Sequence, residues 1–327
     1  MAEVEIAIIQ KAPIFLNLNE SVALAVDLIS DCASRGVSII AFPETWLPGY
    51  PVWLDVAPGA GLWDHEGARS LFRTLFEQSV QLPGAALNRI GEAARAHGVY
   101  VVMGAHERLG GTLYNSIFYF EPHNGEPAVH RKLMPTYTER LIWGRGDGST
   151  LTTVETPHGI LGGLICWEHW MPLARAAMHA LKETIHVAQW PAVREMNQVA
   201  SRHYAFEGGC FVLAAGCCLS RGQVLAGFDS LVVSEPAARH LLEEMPGADT
   251  DLLRDGGSAV IGPDGNYLAG PVYASEETLF ATLDLAKINE ARLLLDSDGH
   301  YARPDVFQLD VNTTPQRNVR FSGPTLC

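Results

Sequence analysis

The chain has 327 residues, of which 47% are apolar and 18% charged, and this length allows either one large globular domain or two. Asp and Glu number 37 against 23 Lys and Arg, which gives a formal net charge of −14 at pH 7. Such an acidic protein lacks the basic surface that phosphate groups require. Nucleic acids and anionic membrane surfaces are therefore excluded as expected partners.

The sequence predicts a protein that neither spans a membrane nor is secreted. No run reaches the roughly 18 apolar residues of a membrane span. The start, "MAEVEIAIIQ", has no basic segment before its apolar residues and predicts a strand instead of a signal peptide. Six irregularly spaced cysteines are too few for a disulfide scaffold, so we expect free thiols and a cytoplasmic location.

Strand-like and helical patterns alternate along the first half. "VEIAIIQ" (4–10) predicts a strand, and apolar residues at helical spacing follow in 19–36. "VSIIAFPE" (37–44) predicts a strand that stops at Pro43. The alternation continues with a predicted helix over 82–98 and predicted strands over 99–107 and 112–122.

The second half repeats this order. A strand over 159–166 precedes a helix over 171–183, a strand over 184–191, a helix over 194–208 and a strand over 210–218. Later strands are predicted at 257–265 and 278–285. The strands are apolar almost throughout, which is typical of a sheet covered by helices in an α/β protein.

Two stretches and the C-terminus interrupt this alternation. Residues 50–80 and 221–256 are predicted as surface loops or, equally, as interface elements. We expect one domain over 1–295 and a C-terminal tail over 296–327. The apolar side chains of this tail, such as Tyr301 and Phe307, predict that it packs against another surface.

Cys166 ends an apolar strand-like run in "GGLICWEHWMPL", just before a predicted helix. The carboxyl edge of a sheet is where α/β proteins build their sites, and the backbone N–H of Trp167 could face charge developing near the sulfur. By position alone, a buried structural cysteine is the more common alternative.

Acidic and basic side chains also follow predicted strands. Glu44 ends a nearly continuous apolar run, where a carboxylate is costly unless paired; it is either a general base for a thiol or a salt-bridged strand end. Lys132, in "HRKLMPTYTER", could stabilise a thiolate and an anionic intermediate, and Glu139 could hold its ammonium. A solvated Lys–Glu surface pair is the alternative.

The segments around these four residues resemble the nitrilase superfamily of carbon–nitrogen hydrolases. The similar stretches are "FPETWLPGYP", "HRKLMPTYTER", "WGRGDG", "GGLICWEHWMPLAR", "SRHYAFEGGCFVLAAG", "GGSAVIGPDG" and "GHYARPDVF", in the order Glu, Lys, Glu, Cys. They extend over essentially the whole chain. "CWE" is similar to the nitrilase branch, although many members of that branch have Asn where this chain has His169.

The resemblance implies an α/β fold, a four-layer αββα sandwich in a single domain with pseudo-symmetric halves. It further implies a homo-oligomer built from dimers, of which spiral filaments are the extended form. By this analogy, residues 50–80, residues 221–256 and the tail are candidate subunit-interface elements.

The resemblance also implies hydrolysis of an organic nitrile to a carboxylic acid and ammonia. Glu44 would deprotonate Cys166 to give a thioimidate and then a thioester, while Lys132 and the Trp167 N–H stabilise negative charge. Glu139 would orient Lys132. The partners would be the nitrile and water, with no cofactor and no metal. Pocket walls are predicted at Trp53, Tyr137, His169 and Trp190, each of which is equally typical of ordinary core.

Other functions remain open on the residues alone. The same site could hydrolyse an amide or carbamoyl substrate, or cyanide. Cys166 and His169 form a C-x-x-H that could bind zinc, but no second Cys/His pair has suitable spacing. A non-catalytic scaffold or filament protein would be expected to lack at least one of the four residues.

Overall fold

The computed structural model describes residues 3–232, 235–317 and 319. Within these residues the strands are β1 (Glu3–Ile9), β2 (Ile39–Ala41), β3 (Tyr100–Leu109), β4 (Thr112–Phe120), β5 (Ala128–Arg131), β6 (Val154–Thr156), β7 (Gly159–Ile165), β8 (Ile185–Gln189), β9 (Phe211–Ala215), β10 (Cys218–Ser220), β11 (Leu252–Ile261), β12 (Tyr267–Tyr273) and β13 (Thr278–Asp284). The helices are α1 (Leu18–Ser34), α2 (Trp53–Val56), α3 (Glu66–Glu77), α4 (Ala85–His97), α5 (Pro172–Ala180), α6 (Glu195–Gly208), α7 (Arg221–Asp229), α8 (Pro236–Glu243) and α9 (Ala286–Leu294).

Each of the two sheets contains three neighbouring parallel strands. The six-stranded sheet has the order β13-β1-β2-β3-β4-β5, in which β1, β2 and β3 are parallel. The seven-stranded sheet has the order β10-β11-β9-β8-β7-β6, with β12 paired to β11, and here β7, β8 and β9 are parallel. Antiparallel strands extend both groups. The repeated arrangement agrees with the predicted similar halves.

Burial of both faces explains why the strands are so apolar. In β1, Val4, Ile6 and Ile8 belong to a core cluster shared with the other sheet and with α5 and α6. The alternate residues Ala7 and Ile9 belong to a cluster with α1 and α4. The layers are therefore helices, sheet, sheet and helices, and the predicted four-layer αββα sandwich is confirmed.

The predicted elements mostly correspond to observed ones, with differences at their ends. The helices predicted at 19–36, 82–98 and 194–208 are α1, α4 and α6. The predicted strand at 210–218 is divided into β9 and β10. Strand β12 was not predicted, because its side chains are partly or fully exposed and its sequence contains Gly and Pro.

The stretches at 50–80 and 221–256 are not simple surface loops. They contain helices α2, α3, α7 and α8, whose apolar faces form a third core cluster. Trp53 lies in this cluster, with its ring centroid 5.9 Å from that of Phe15.

The described part of the tail, 296–317, runs back along the protein surface. Asp298 pairs with Lys182, and the backbone N–H of Gln316 donates to Asp147. The end of the predicted tail interface, residue 318 and residues 320–327, lies outside the described residues. Among the residues that are described, no helix is long and apolar enough to cross a membrane.

Candidate active site

Cys166 lies where β7 gives way to a 3-10 helix, Cys166–Trp170, which leads into α5. Its backbone φ is +53°, in the left-handed region that a cysteine rarely adopts. The side chain is buried, and this burial raises the pKa of the thiol, while the neighbouring backbone N–H of Trp167 acts to lower it. The strained turn therefore presents a sulfur and an N–H donor together at the carboxyl end of a parallel strand.

Glu44 follows the short strand β2 and is 1% exposed. Its Oε1 accepts hydrogen bonds from Asn115 Nδ2 at 2.6 Å and from Lys132 Nζ at 2.8 Å. Its Oε2 is buried and has no hydrogen-bond partner among the described residues. One oxygen thus anchors the carboxylate, and the other is free to accept a proton.

Lys132 follows β5 and is 1% exposed. Its Nζ donates to Glu44 at 2.8 Å and to Glu139 Oε2 at 2.7 Å. Its own backbone N–H donates to the carbonyl of Asn115 at 2.8 Å, which fixes the start of the side chain. The ammonium therefore bridges the two carboxylates.

Glu139 belongs to the 3-10 helix Tyr137–Leu141. Its Oε2 accepts from Lys132 and from the Thr136 backbone N–H at 2.6 Å, and its Oε1 accepts from the Tyr50 hydroxyl at 3.0 Å. Both oxygens are therefore occupied, in contrast to those of Glu44. This arrangement suits Glu139 to holding Lys132 and leaves Glu44 as the better proton acceptor.

The acidic and thiol groups of the site converge on one point. One oxygen of Glu44, one oxygen of Glu139 and Cys166 Sγ all lie within 4.8 Å of one another. Two carboxylates and a thiol are possible metal ligands. Here, however, the Lys132 ammonium already donates to both carboxylates and supplies a positive charge between them.

Burial and charge set the resting protonation states. Burial raises the pKa of Glu44 to about 7, in spite of the opposing charge of Lys132. Burial and then the charge of Glu44 raise the pKa of Cys166 well above its ordinary value. Burial alone would lower the pKa of Lys132, but Cys166, Glu44 and Glu139 raise it. The site therefore holds an ammonium, a protonated thiol and a carboxyl poised near neutral pH.

Glu168 connects the turn at Cys166 to the segment that carries Lys132. Its carboxylate accepts from the backbone N–H groups of Ile165 and Leu133, each at 2.7 Å, and faces His130 Nε2 at 3.0 Å. The charge and hydrogen bonds of these partners lower the pKa of Glu168 although its burial opposes this. A buried carboxylate thus fixes the distance between two of the candidate catalytic groups.

A cavity of about 230 Å³ opens onto Cys166. It is lined by Tyr50, Asp55, Thr136, Tyr137, Thr138, Glu139, Cys166, Trp167, Pro191, Ala192, Arg194, Asn197 and Arg254. Of the predicted pocket walls, Tyr137 lines this cavity and is 82% exposed.

The other three predicted pocket walls lie in the core instead. Trp53 packs among the helices α2, α3, α7 and α8. Trp190 is fully buried and stacks on the ring of His169, with centroids 4.8 Å apart. The ring nitrogens of His169 face the carbonyl of Cys166 and His186 rather than the thiol, so the C-x-x-H is not arranged to chelate zinc.

Several residues of the site were not predicted from the sequence. Asn115 lies within a strand, Tyr50 within a Pro-rich stretch, and Arg254 in the second irregular stretch, where it pairs with Asp55. Tyr50 could have been predicted, because it lies in the same "PETWLPGYP" segment as Glu44. The sequence analysis uses Glu168 only as part of the "CWE" similarity and predicts no role for its side chain.

Comparison with known proteins identifies the family. Residues 5–293 match the carbon-nitrogen hydrolase family. Solved structures share the fold: a carbon-nitrogen hydrolase from Helicobacter pylori has a TM-score of 0.65 at 18% identity, covering 93% of this chain and 97% of that one. An amidase from Nesterenkonia sp. has a TM-score of 0.61 at 18% identity, covering 89% and 94%. The chain belongs to the carbon–nitrogen hydrolase family, as predicted.

More similar relatives have been named by their activity. A nitrilase of Pseudomonas syringae pv. syringae is 40% identical over 95% of this chain and 90% of its own length. An aliphatic nitrilase of Sinorhizobium fredii is 38% identical over 98% and 99%. Nitrilase 1 of Arabidopsis thaliana is 37% identical over 97% and 89%. The predicted similarity to nitrilases is therefore confirmed over most of the chain.

Proposed function

We propose that this protein is a nitrilase, which hydrolyses an organic nitrile to the carboxylic acid and ammonia with Cys166 as nucleophile. The observation that carries the proposal is the free Oε2 of Glu44 in a buried site it shares with the thiol and the Lys132 ammonium. The nitrilases at 37–40% identity support the choice of substrate class.

The first half of the reaction forms a thioimidate. Glu44 takes the thiol proton of Cys166 as the sulfur attacks the nitrile carbon, so a C–S bond forms and one carbon–nitrogen π bond breaks. The substrate nitrogen gains that electron pair and then the proton. Lys132 and the Trp167 backbone N–H stabilise the negative charge on this nitrogen, and each such donor is worth about 10²–10³-fold in rate.

The second half releases both products. Glu44 takes a proton from water as the water adds to the thioimidate carbon. The nitrogen gains this proton and that of the new hydroxyl group, so the tetrahedral intermediate expels ammonia and leaves a thioester. A second water attacks the thioester carbon, the C–S bond breaks, and the acid leaves as the thiol is restored. Glu139 contributes by fixing Lys132, because both of its oxygens already accept hydrogen bonds from protein groups.

Ammonia release from a small substrate panel tests this proposal. The panel contains an aromatic, an arylacetic and an aliphatic nitrile, cyanide, and the amide matching each nitrile. We expect wild type to release ammonia from nitriles at least as fast as from the matching amides, and Cys166→Ala to release none. Cys32→Ala is the matched control, since Cys32 is an equally buried thiol in α1. Release from amides alone would move the enzyme to an amidase branch.

We further propose that the protein assembles into a homo-oligomer built from dimers, extending to spiral filaments. Large apolar side chains are exposed on and beside α5 and on the tail, namely Trp170, Leu173, Tyr301 and Phe307. We propose the tail, 296–327, as a separate segment that packs at a subunit interface, with 50–80 and 221–256 as further interface elements. Light scattering of full-length protein and of a chain ending at residue 295 tests this: truncation should reduce the oligomer size, and an unchanged size would refute it.

We propose a cytoplasmic location for the enzyme. All five cysteines within the described residues are free thiols, as expected of a protein that works in a reducing compartment. Fractionation of cells that express the protein tests this location.

A further inference from the structure

Three buried polar side chains form a hydrogen-bonded chain that begins at the carbonyl of Cys166. His169 Nδ1 lies 2.7 Å from this carbonyl oxygen, and His169 Nε2 lies 3.0 Å from His186 Nε2. His186 Nδ1 lies 2.8 Å from Glu183 Oε2. We call His169, His186 and Glu183 the support chain. None of the three lines the cavity, so the proposed reaction leaves them without a role.

The chemistry of the contacts fixes where the protons are. A carbonyl oxygen only accepts, so His169 Nδ1 carries a hydrogen. Burial and the neighbouring His186 lower the pKa of His169 well below its ordinary value, so this ring is neutral and its Nε2 accepts. His186 Nε2 is therefore the donor. His169 is thus held in the one tautomer that can donate to Cys166.

Glu183 keeps His186 in this donating state. Tyr204 donates its hydroxyl to the other oxygen of Glu183. Burial opposes ionisation of Glu183, but His186 and these hydrogen bonds prevail and lower its pKa. The Glu183 carboxylate faces Nδ1 of His186 and orients this ring so that its Nε2 points at His169. Gly162 of the nucleophile strand makes room for this carboxylate, since a Cβ at that position would lie 2.1 Å from Glu183 Oε2.

The rings of the support chain are also fixed by packing. His169 stacks on Trp190 and meets Tyr204 edge-on, with ring centroids 4.8 and 5.6 Å apart. His186 stacks on Tyr204 at 3.8 Å. A positive φ at a cysteine persists only where its surroundings determine it. The hydrogen bond from His169 is a contact of this kind at Cys166.

The consequence for the site follows from the planarity of the peptide. The carbonyl of Cys166 and the N–H of Trp167 belong to one peptide unit, which is trans and therefore points them in opposite directions. A donor that fixes the direction of the Cys166 carbonyl therefore also fixes the opposite direction of the Trp167 N–H. It also polarises the unit, which strengthens the N–H as a donor.

We propose that His169, oriented by His186 and Glu183, is a positioning residue that aims the Trp167 N–H at the substrate atom on which negative charge develops. The inference rests on the proposed function, in which this N–H stabilises that charge. His169 acts through the peptide unit and touches neither the substrate nor the sulfur.

Two substitutions with branched side chains of similar shape test the proposal. His169→Asn retains a side-chain N–H that can donate to the Cys166 carbonyl, whereas His169→Leu has no donor. We expect kcat to fall by about 10²-fold in the Leu variant, with KM little changed, and to remain within about tenfold of wild type in the Asn variant. Equal losses in the two variants, or wild-type kcat in the Leu variant, would overturn the proposal.

A second pair of variants, at His186, tests the proposal if the His169 variants do not fold. If His169→Leu does not fold, as judged by circular dichroism, His186→Gln and His186→Leu replace the pair: Gln retains an N–H for His169 Nε2 and should retain more kcat than Leu. All variants are assayed on whichever panel substrate wild type hydrolyses in a Cys166-dependent manner. A wild type that hydrolyses only amides would refute the nitrilase proposal and still leave the support chain testable.

Discussion

Replacement of Glu44 by Gln separates its two effects on Cys166. The Gln side chain has the same shape, and its carbonyl oxygen can still accept from Asn115 and Lys132, as Oε1 of Glu44 does. Its amide nitrogen replaces Oε2, the oxygen without a partner among the described residues. The substitution therefore removes the proton acceptor and one negative charge with little change in packing.

Loss of the proton acceptor should lower kcat, whereas loss of the negative charge should make the Cys166 thiol easier to ionise. A general base contributes about 10²–10⁴-fold, so we expect kcat to fall by that factor in Glu44→Gln. The charge of Glu44 is one cause of the raised pKa of Cys166, whereas Lys132 lowers it. Without that negative charge the pKa of Cys166 should fall. The variant should thus be a poor catalyst with a more readily ionised thiol.

Two assays on one preparation check this prediction. Ammonia release gives kcat, and the pH dependence of iodoacetamide alkylation, followed on the Cys166 peptide by mass spectrometry, gives the thiol pKa. Glu155→Gln is the control, because Glu155 is an exposed carboxylate of β6, and it should match wild type in both assays. A Glu44→Gln variant that retains kcat within tenfold of wild type, or whose thiol pKa rises, would refute the role assigned to Glu44.

Three further predictions follow from the geometry. Because Glu44 must be ionised to accept a proton and its pKa is about 7, kcat/KM should decrease as the pH is lowered through this value; a pH–rate profile that stays flat there would contradict it. Lys132→Met leaves two buried carboxylates without their counter-ion, so urea titration should show a free energy of unfolding lower by about 3–5 kcal/mol; unchanged stability would disprove the ion-pair geometry. Gly162→Ala brings a Cβ against Glu183 and should lower the free energy of unfolding by about 1–3 kcal/mol, whereas Gly111→Ala, which meets nothing within 4 Å, should not; equal effects of the two would argue against the close contact.

The layered fold could be predicted because its strands are buried on both faces. Runs such as 4–10 and 159–166 are apolar at nearly every position, and helical spacing between them predicts the covering layers. The location of Cys166 and Glu44 at the ends of such runs also follows from the sequence, whereas Lys132 follows the short strand β5, which is only partly apolar. Their convergence within one buried site depends on the tertiary structure, and only the resemblance to a known family predicts it.

The remaining parts of the site depend on contacts distant in sequence. Asn115 and Tyr50 reach the carboxylates from segments with no polar pattern that distinguishes them. Aromatic residues are equally typical of core and pocket, so the sequence leaves both places open for Trp53 and Trp190, and the structure has them in the core. Helices α2, α3, α7 and α8 have at most 12 residues each, and their apolar faces pack together in the third core cluster.

Mass spectrometry of the enzyme quenched with acid during turnover of a nitrile tests most directly whether Cys166 is the nucleophile. We predict that the peptide containing Cys166 gains the mass of the whole nitrile, as a thioimidate, or the mass of the corresponding acyl group, as a thioester. The other cysteine peptides should remain unmodified, and Cys166→Ala should show neither adduct nor ammonia release. An adduct on a different residue, or continued turnover by Cys166→Ala, would show that Cys166 is not the nucleophile.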